Sequence, residues 1–197
     1  MDTTILTDPF IFVMDDVIPK KECTSIIRRF NKDKRQERGI TTGGIDLEVK
    51  DSHDLGISKY DDWKDVDERF AELISYLLQQ YTQHLINAGT LTMFTNHKSI
   101  ALTPPSTNLF DIGYQVQKTK KGKGYTWHHD YIQNRVITFI LYLNTVEEGW
   151  TQFYNGDQVA PKAGRCIMFP ATWTYFHQGY PPKQTKYIMT GWLHNVD

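Results

Sequence analysis

The sequence predicts an α+β fold, in which a mixed and partly helical first half supports a jelly-roll-like double sheet in the second half. Two stretches of the first half repeat apolar residues at helical spacing. From residue 91 onward the chain consists of short β-branched and aromatic runs separated by Gly, Pro and Asn. The length of 197 residues suits a single domain. We expect a supporting part over residues 1–100 and a core over residues 101–197.

Both predicted helices are amphipathic. The first follows from the apolar positions Cys23, Ile26, Ile27 and Phe30, which are spaced i, i+3, i+4, i+7. A longer apolar stripe predicts the second helix, and its members are Val66, Phe70, Leu73, Leu77, Tyr81 and Leu85. Acidic residues near its start suit the positive end of the helix dipole. We expect this second helix to pack as a scaffold against a sheet.

Short runs of β-branched and aromatic residues predict the strands. The first half offers a strand at residues 10–14 and, within a polar stretch over 31–62, two shorter ones at 45–49 and 55–58. The second half offers four further strands, at residues 112–116, 135–143, 165–169 and 187–192. Many short strands in one half of a chain favour a double-sheet architecture.

Composition and charge exclude several classes of protein. Hydrophobic residues make up 40% and charged residues 23% of the chain, as in a folded protein rather than a disordered one. The formal net charge of −1 gives no general reason to expect binding to nucleic acid or to a membrane. No apolar run approaches the ~18 residues of a membrane span. The first residues lack the basic region of a secretory signal and only two cysteines occur, so we expect a cytoplasmic location.

Three residues of the second half have the chemistry of a metal site. In the run Tyr125-Thr-Trp-His128-His-Asp130, residues i and i+2 of a strand point to one face, so His128 and Asp130 are predicted to share it. His177 lies much later and can join them only from another strand. Two histidines and one carboxylate on one face of a metal leave the opposite positions open, as in non-haem Fe(II) oxygenases. Zinc accepts the same donors, so a zinc hydrolase remains an alternative.

Lys186 adds a second chemical feature. It heads an apolar stretch that is predicted to be an inward-facing strand, where an unpaired charge is costly. A dicarboxylate would remove that cost, with one end on the metal and the other on the ammonium group. The alternative is a surface lysine that buries only its aliphatic stem.

Five short motifs follow one another in the second half. They are Tyr125-Thr-Trp-His128-His-Asp130, Arg135-Val-Ile-Thr138-Phe-Ile-Leu-Tyr142-Leu-Asn144, Glu147-Glu148-Gly149-Trp150-Thr151, His177-Gln-Gly179 and Lys186-Tyr-Ile-Met-Thr190-Gly-Trp192. In this order they resemble the 2-oxoglutarate/Fe(II) dioxygenases, specifically the prolyl 4-hydroxylase-like branch. The resemblance covers residues 105–194 well and residues 10–30 loosely.

The resemblance implies a fold and a set of cofactors. The fold is a double-stranded β-helix, a jelly-roll core buttressed by N-terminal helices. The catalytic metal is Fe(II), and its ligands are His128, Asp130 and His177. The cosubstrates are 2-oxoglutarate and O2, with ascorbate as a reductant. Lys186 pairs with the far carboxylate of 2-oxoglutarate, and Tyr114 and Thr151 line the same pocket.

The resemblance also implies hydroxylation of an unactivated C–H bond, foremost in a prolyl residue of a peptide or protein. The residues that match substrate-facing positions of the family are Tyr125, Arg135 and Trp192. A nucleobase or a small metabolite is an alternative substrate, because four lysines between residues 118 and 123 could meet a phosphate. A jelly-roll binding module without catalysis is a further alternative.

Overall fold

A computed structural model describes residues 2–90, 109–132 and 134–195, which form mostly antiparallel β-structure with two α-helices. The helices are α1 (Lys20–Lys32) and α2 (Lys64–Asn87), with 3-10 turns at Ile57–Lys59 and Asp61–Trp63. The strands are β1 (Phe12–Met14), β2 (Glu37–Arg38), β3 (His53–Gly56), β4 (Leu109–Asp111), β5 (Gln115–Thr119), β6 (Tyr125–His128), β7 (Arg135–Tyr142), β8 (Thr151–Phe153), β9 (Gln158–Val159), β10 (Cys166–Pro170), β11 (His177–Gly179) and β12 (Lys186–Asn195). The predicted start of β-structure at residue 91 lies outside the described residues.

The strands form two sheets, as a jelly-roll core requires. The large sheet has the order β1-β10-β7-β12-β5-β3-β2, with β4 also pairing β12. The small sheet has the order β6-β11-β8-β9. Neighbouring strands in both sheets are antiparallel. Strands distant in sequence therefore lie side by side, and a site between the sheets can draw residues from several of them.

The two faces of the large sheet have different partners. On β7, Phe139 and Leu141 point into an apolar core that also contains buried residues of both helices. Ile140 and Tyr142 point the opposite way, into a smaller core shared with the small sheet. This alternation is the period of two expected of a strand that is covered on both faces.

Both helices form where the apolar spacing predicts them. In α1 the buried residues are Cys23, Ile26 and Phe30. In α2 the buried residues are Phe70, Leu73, Ile74, Leu77, Tyr81 and Leu85. Their buried faces join the core on the helix side of the large sheet, as an amphipathic stripe should. Among the described residues, no helix is long and apolar enough to cross a membrane.

Three strand predictions differ from the structure. The strand predicted over residues 55–58 lies earlier, as β3, and a 3-10 turn follows at Ile57–Lys59. The strand predicted over residues 45–49 is wrong, because the backbone there turns: the N–H groups of Val49 and Lys50 both donate to the carbonyl of Asp46. The strand predicted over residues 112–116 is displaced into β4 and β5. Gly113 separates these two strands with a φ of +105°, a backbone conformation that favours glycine.

Candidate metal centre and cosubstrate pocket

Three side chains converge at one end of the small sheet. His128 ends β6 and His177 begins β11, and the two residues pair directly across these strands. Asp130 lies two residues beyond the end of β6 and so reaches the same side from outside the strand. Its carboxylate oxygens lie 3.9 Å from His128 Nε2 and 3.7 Å from His177 Nε2. One donor atom from each residue lies within 4.8 Å of the other two, which is close enough to share one metal ion.

Both imidazoles are oriented by backbone carbonyls. His128 Nδ1 lies 2.8 Å from the carbonyl oxygen of Thr126, and His177 Nδ1 lies 2.9 Å from that of Tyr175. A carbonyl can only accept, so each Nδ1 carries the proton and donates it. Each Nε2 then keeps its lone pair and faces Asp130. This outer hydrogen bond is the usual way in which a metal-binding histidine is held.

The protonation states also suit a metal. Burial, together with the neighbouring His177, lowers the pKa of His128 to about 3, so its imidazole is neutral near pH 7. Burial disfavours ionisation of Asp130, but the two imidazoles and a hydrogen bond from Thr138 outweigh it and hold the pKa of this carboxyl below its usual value. The Thr138 hydroxyl donates to Asp130 Oδ2 at 2.8 Å. Two imidazoles and one carboxylate are the donor set of a divalent metal site.

Lys186 lies in the same cavity, which has a volume of about 900 Å³. Its side chain is buried, and its ammonium group donates to the carbonyl oxygen of Gly149 at 2.8 Å. Burial lowers the pKa of Lys186 to about 8. A buried ammonium group that faces a cavity and bonds a neutral carbonyl has room for an anion. The observation fits a carboxylate of a dicarboxylic ligand.

Two hydroxyl groups also line the cavity that contains Lys186. Tyr142 and Thr151 are both buried, their oxygens are 2.7 Å apart, and both line the cavity. Thr151 was expected here, although the turn before it is short. Gly149 allows that turn with a φ of +72°, and a side chain at this position would collide with Pro182. Tyr142 was missed by the sequence reasoning. The signal was available, since Tyr142 follows Thr138 and Ile140 at strand spacing on β7.

Tyr114 is among the residues that line the cavity, and its predicted role at the far carboxylate of 2-oxoglutarate stays a prediction. Its ring packs between Phe70 and Phe139 in the core on the helix side of the sheet, with ring centroids 6.0 and 5.8 Å away. Its hydroxyl donates to Asp111 Oδ2 at 2.8 Å. Residue 114 precedes β5, and the cavity-facing residues of that strand are Gln115, Gln117 and Thr119.

The residues expected to face a substrate do line the cavity. Tyr125 stacks on His128, with ring centroids 3.5 Å apart. The guanidinium carbon of Arg135 lies 3.7 Å from the ring centre of Trp192. Arg135 Nε and Trp192 Nε1 are buried without a hydrogen-bond partner among the described residues. The indole of Trp192 is nevertheless near enough to Asp130 to help lower the pKa of that carboxyl group. Such N–H groups are donors for a ligand with carbonyl or carboxylate oxygens.

Residues 36–56, part of the polar stretch in the first half, form another wall of the cavity. The strand β3 extends the large sheet through β5, and Lys50 makes an isolated bridge to Tyr125 on the small sheet. Lys50 is buried, and its ammonium group pairs with Asp54 at 2.7 Å. The same ammonium lies 5.3 Å from the centre of the Tyr125 ring. This segment therefore joins the two sheets beside the metal centre.

The family model described as the 2OG-Fe(II) oxygenase superfamily matches residues 114–194, which contain all three triad residues and Lys186. Over residues 114–194 the chain is therefore similar to the 2-oxoglutarate/Fe(II) oxygenase superfamily. Members use Fe(II), 2-oxoglutarate and O2, and the His-Asp-His triad of this structure fits the metal. No curated protein matches the sequence.

Solved structures of prolyl hydroxylases share this superfamily fold. A Pseudomonas putida prolyl-4-hydroxylase is 14% identical with a TM-score of 0.64, over 94% of this chain and 93% of that one. A Trichoplax adhaerens prolyl hydroxylase, solved with a hypoxia inducible factor peptide fragment, is 15% identical with a TM-score of 0.69, over 95% and 84%. The viral collagen prolyl hydroxylase of Paramecium Bursaria Chlorella virus-1, solved with 2-oxoglutarate, is 18% identical with a TM-score of 0.59, over 95% and 97%. At these identities the likeness establishes the fold alone, a jelly-roll core.

Proposed function

We propose that this protein is a dioxygenase that hydroxylates a prolyl residue in a peptide or protein. The observation that carries the oxygenase chemistry is the presence of the triad and the buried Lys186 in one cavity. A metal site alone would be compatible with hydrolysis. A buried ammonium group facing that site calls for an anionic cosubstrate, and a zinc hydrolase has no use for one.

The residues of the chain have separate tasks in this proposal. His128, Asp130 and His177 would hold Fe(II), and their two imidazoles and single carboxylate leave its remaining positions for ligands. Iron and 2-oxoglutarate together supply the oxidising power that inserts oxygen into an unactivated C–H bond. Lys186 would bind the far carboxylate, with the hydroxyl groups of Tyr142 and Thr151 beside it. The helices, which share a core with the large sheet, would keep its strands rigid beneath the site.

The substrate side is proposed from the second group of cavity residues. Arg135 and Trp192 present two buried N–H groups that a peptide carbonyl could accept from. Trp192 also offers an indole face, and Tyr125 a phenol ring, for a pyrrolidine ring to lie against. The Trichoplax relative was solved with a peptide fragment, which agrees with a peptide substrate here. We propose ascorbate as the reductant and the cytoplasm as the location.

The nucleic-acid alternative has less support. Of the lysines between residues 118 and 123, Lys118 donates to Asn31 at 3.0 Å and Lys123 pairs with Asp51 at 3.1 Å. Two of the four lysines thus have partners within the protein. Retention on single-stranded DNA that falls steeply with salt would favour this alternative.

The first experiment is an anaerobic titration of the protein with Fe(II) and 2-oxoglutarate, monitored in the visible range. We expect a metal-to-ligand charge-transfer band that requires both additions and is lost in His177→Ala. Peptides with and without proline are then compared for the succinate and hydroxyproline they yield. The absence of the band in a folded protein would favour the non-catalytic binding module. A band with no proline-dependent turnover would favour another substrate.

A further inference from the structure

A side branch of the cavity extends away from the strand that carries Lys186. The register of the large sheet defines it, because residues that pair across neighbouring strands share a face. Gln117 on β5 pairs with Ile188 on β12 and, on its other side, with Asp54 on β3. Asp54 pairs in turn with Glu37 on β2. These four residues all line the cavity, so the side branch runs from β12 outward to β2.

The side branch lies outside the part of the cavity that joins the metal centre to Lys186. Trp192 on β12 pairs with Thr138 on β7, and Thr138 bonds the metal ligand Asp130. The metal end and the Lys186 end of the cavity therefore both border β12. Neighbouring strands lie about 4.8 Å apart, so β3 is about 10 Å and β2 about 15 Å from β12. A dicarboxylate held between the metal centre and Lys186 leaves this space for another ligand.

Gln117 presents an open hydrogen-bonding group to the side branch. The residue is only 9% exposed, and its carboxamide has no hydrogen bond among the described residues. Its polar neighbour across the strands, Asp54, already accepts a bond on each oxygen, from Lys50 Nζ at 2.7 Å and from Ser52 Oγ at 2.8 Å. A buried carboxamide without a partner is costly, so this side chain suits a ligand better than it suits packing.

We propose that Gln117 binds an amide group of the substrate, close to the residue presented to the metal centre. The choice of a peptide or protein ligand rests on the proposed function. A carboxamide is uncharged and has two N–H donors and one carbonyl acceptor, so its complement is another amide, either of the peptide backbone or of an Asn or Gln side chain. The nearest charges, on Lys50 and Asp54, are paired with each other and do not call for a charged ligand.

This assignment makes Gln117 a specificity-determining residue. A ligand that enters the side branch without an amide leaves the carboxamide buried and unpaired, and sites of that kind reject such ligands strongly. The apolar neighbour Ile188 cannot supply the missing bond.

The test measures binding without turnover. Protein loaded anaerobically with Fe(II) and 2-oxoglutarate is titrated with two labelled peptides of equal length. Both have one central proline among alanines, and the second has asparagine on either side of that proline. Gln117→Met keeps the shape of the side chain and removes the amide, and we expect it to weaken binding about tenfold. Gln79→Met, on the exposed side of α2, is the matched control and should leave binding unchanged.

The pattern of loss identifies the source of the amide. A loss with the alanine peptide assigns Gln117 to the substrate backbone, and replacing the peptide bonds beside the proline by esters should reproduce it. A loss confined to the asparagine peptide assigns Gln117 to a side-chain amide. Undiminished binding of both peptides by Gln117→Met would overturn the proposal.

Further readouts separate this subsite from the cosubstrate and from the proposed function. A higher 2-oxoglutarate requirement of Gln117→Met for the charge-transfer band, with unchanged peptide binding, would assign Gln117 to the cosubstrate and overturn the proposal. Binding that depends on Gln117 but yields no hydroxyproline would keep the subsite and reject the prolyl reaction. A parent protein that binds neither peptide would reject both.

Stability gives an independent check on Gln117. The denaturation midpoint of the unliganded Gln117→Met protein should not fall, because the substitution removes a buried polar group that has no partner. A lower midpoint would show that the carboxamide has a structural role and would overturn the proposal.

Discussion

The phenol ring of Tyr125 lies flat on the imidazole of His128, with centroids 3.5 Å apart and planes 13° from parallel. A bulge in β6 makes this contact possible, since residues three apart on a regular strand point to opposite faces. The ammonium group of Lys50 lies 5.3 Å from the phenol centre. A residue expected to face substrate therefore also supports a metal ligand.

Substitutions can separate the two roles of Tyr125, which are contact with the substrate and support of His128. Tyr125→Phe keeps the ring stack and removes the hydroxyl group, so the charge-transfer band should stay and only the peptide KM should rise. Tyr125→Leu removes the stack as well, and we expect Fe(II) to bind about tenfold more weakly, as for other supports of metal ligands. Fe(II) titration of both variants checks this. Equal Fe(II) affinity in Phe and Leu variants would show that the stack has no supporting role.

Lys186→Ala should raise the concentration of 2-oxoglutarate required for half-saturation by about tenfold to a hundredfold, because it removes a charge-assisted hydrogen bond. The substitution weakens only the binding of 2-oxoglutarate in the ground state, so a saturating concentration of 2-oxoglutarate should restore most of the rate. Lys183→Ala is a matched control, since Lys183 is exposed and pairs with Glu147 at the surface. A 2-oxoglutarate titration identical to that of the parent would remove Lys186 from the cosubstrate site.

The affinity for 2-oxoglutarate should depend on pH above about 8. Burial lowers the pKa of Lys186 to about 8, so the unliganded protein loses this positive charge as the pH rises through that value. The dicarboxylate binds the charged form, and its apparent affinity should fall by about tenfold for each pH unit well above 8. Titrations from pH 7 to pH 10 measure this slope. Lys186→Ala, which has no proton to lose there, should flatten it.

Thr138→Val tests the support of the carboxylate ligand. It removes the hydroxyl group that donates to Asp130 Oδ2 and keeps the volume of the side chain. Loss of such a hydrogen bond weakens metal binding by about tenfold to a hundredfold in comparable sites. Thr190→Val is the control, because Thr190 also lines the cavity but donates to the backbone carbonyl of Phe139. Similar Fe(II) affinities in the two variants would contradict a specific role for Thr138.

Arg165 should contribute to stability rather than to chemistry. Its buried guanidinium pairs with Asp2 and Asp15, with Nε 2.6 Å from Asp15, and so attaches the start of the chain to β10. Arg165→Leu should lower the free energy of unfolding by about 2 kcal/mol, because partly buried carboxylates lose their partner. Chemical denaturation measures it. Arg69→Leu breaks the exposed pair with Glu22 and should cost under about 1 kcal/mol.

The sequence by itself was sufficient for the features that depend on local pattern or on residue chemistry. The two helices follow from apolar spacing, which is a property of neighbouring residues. The triad and Lys186 could be selected because few residue types bind a metal or an anion. The order of the motifs indicated the resemblance to the family. These four side chains do lie in one cavity.

Only the tertiary structure decided which face each strand residue takes. The hydroxyl group of Tyr142 bonds Thr151 in the cavity, whereas that of Tyr114 donates to Asp111. The bulge in β6 places Tyr125 inward and Trp127 outward. Residues 45–49, predicted as a strand, form turns in the segment that walls the cavity. The physical reason is that strand register is set by pairing with distant segments. A shift of one residue moves a side chain to the opposite face, and no local pattern records that shift.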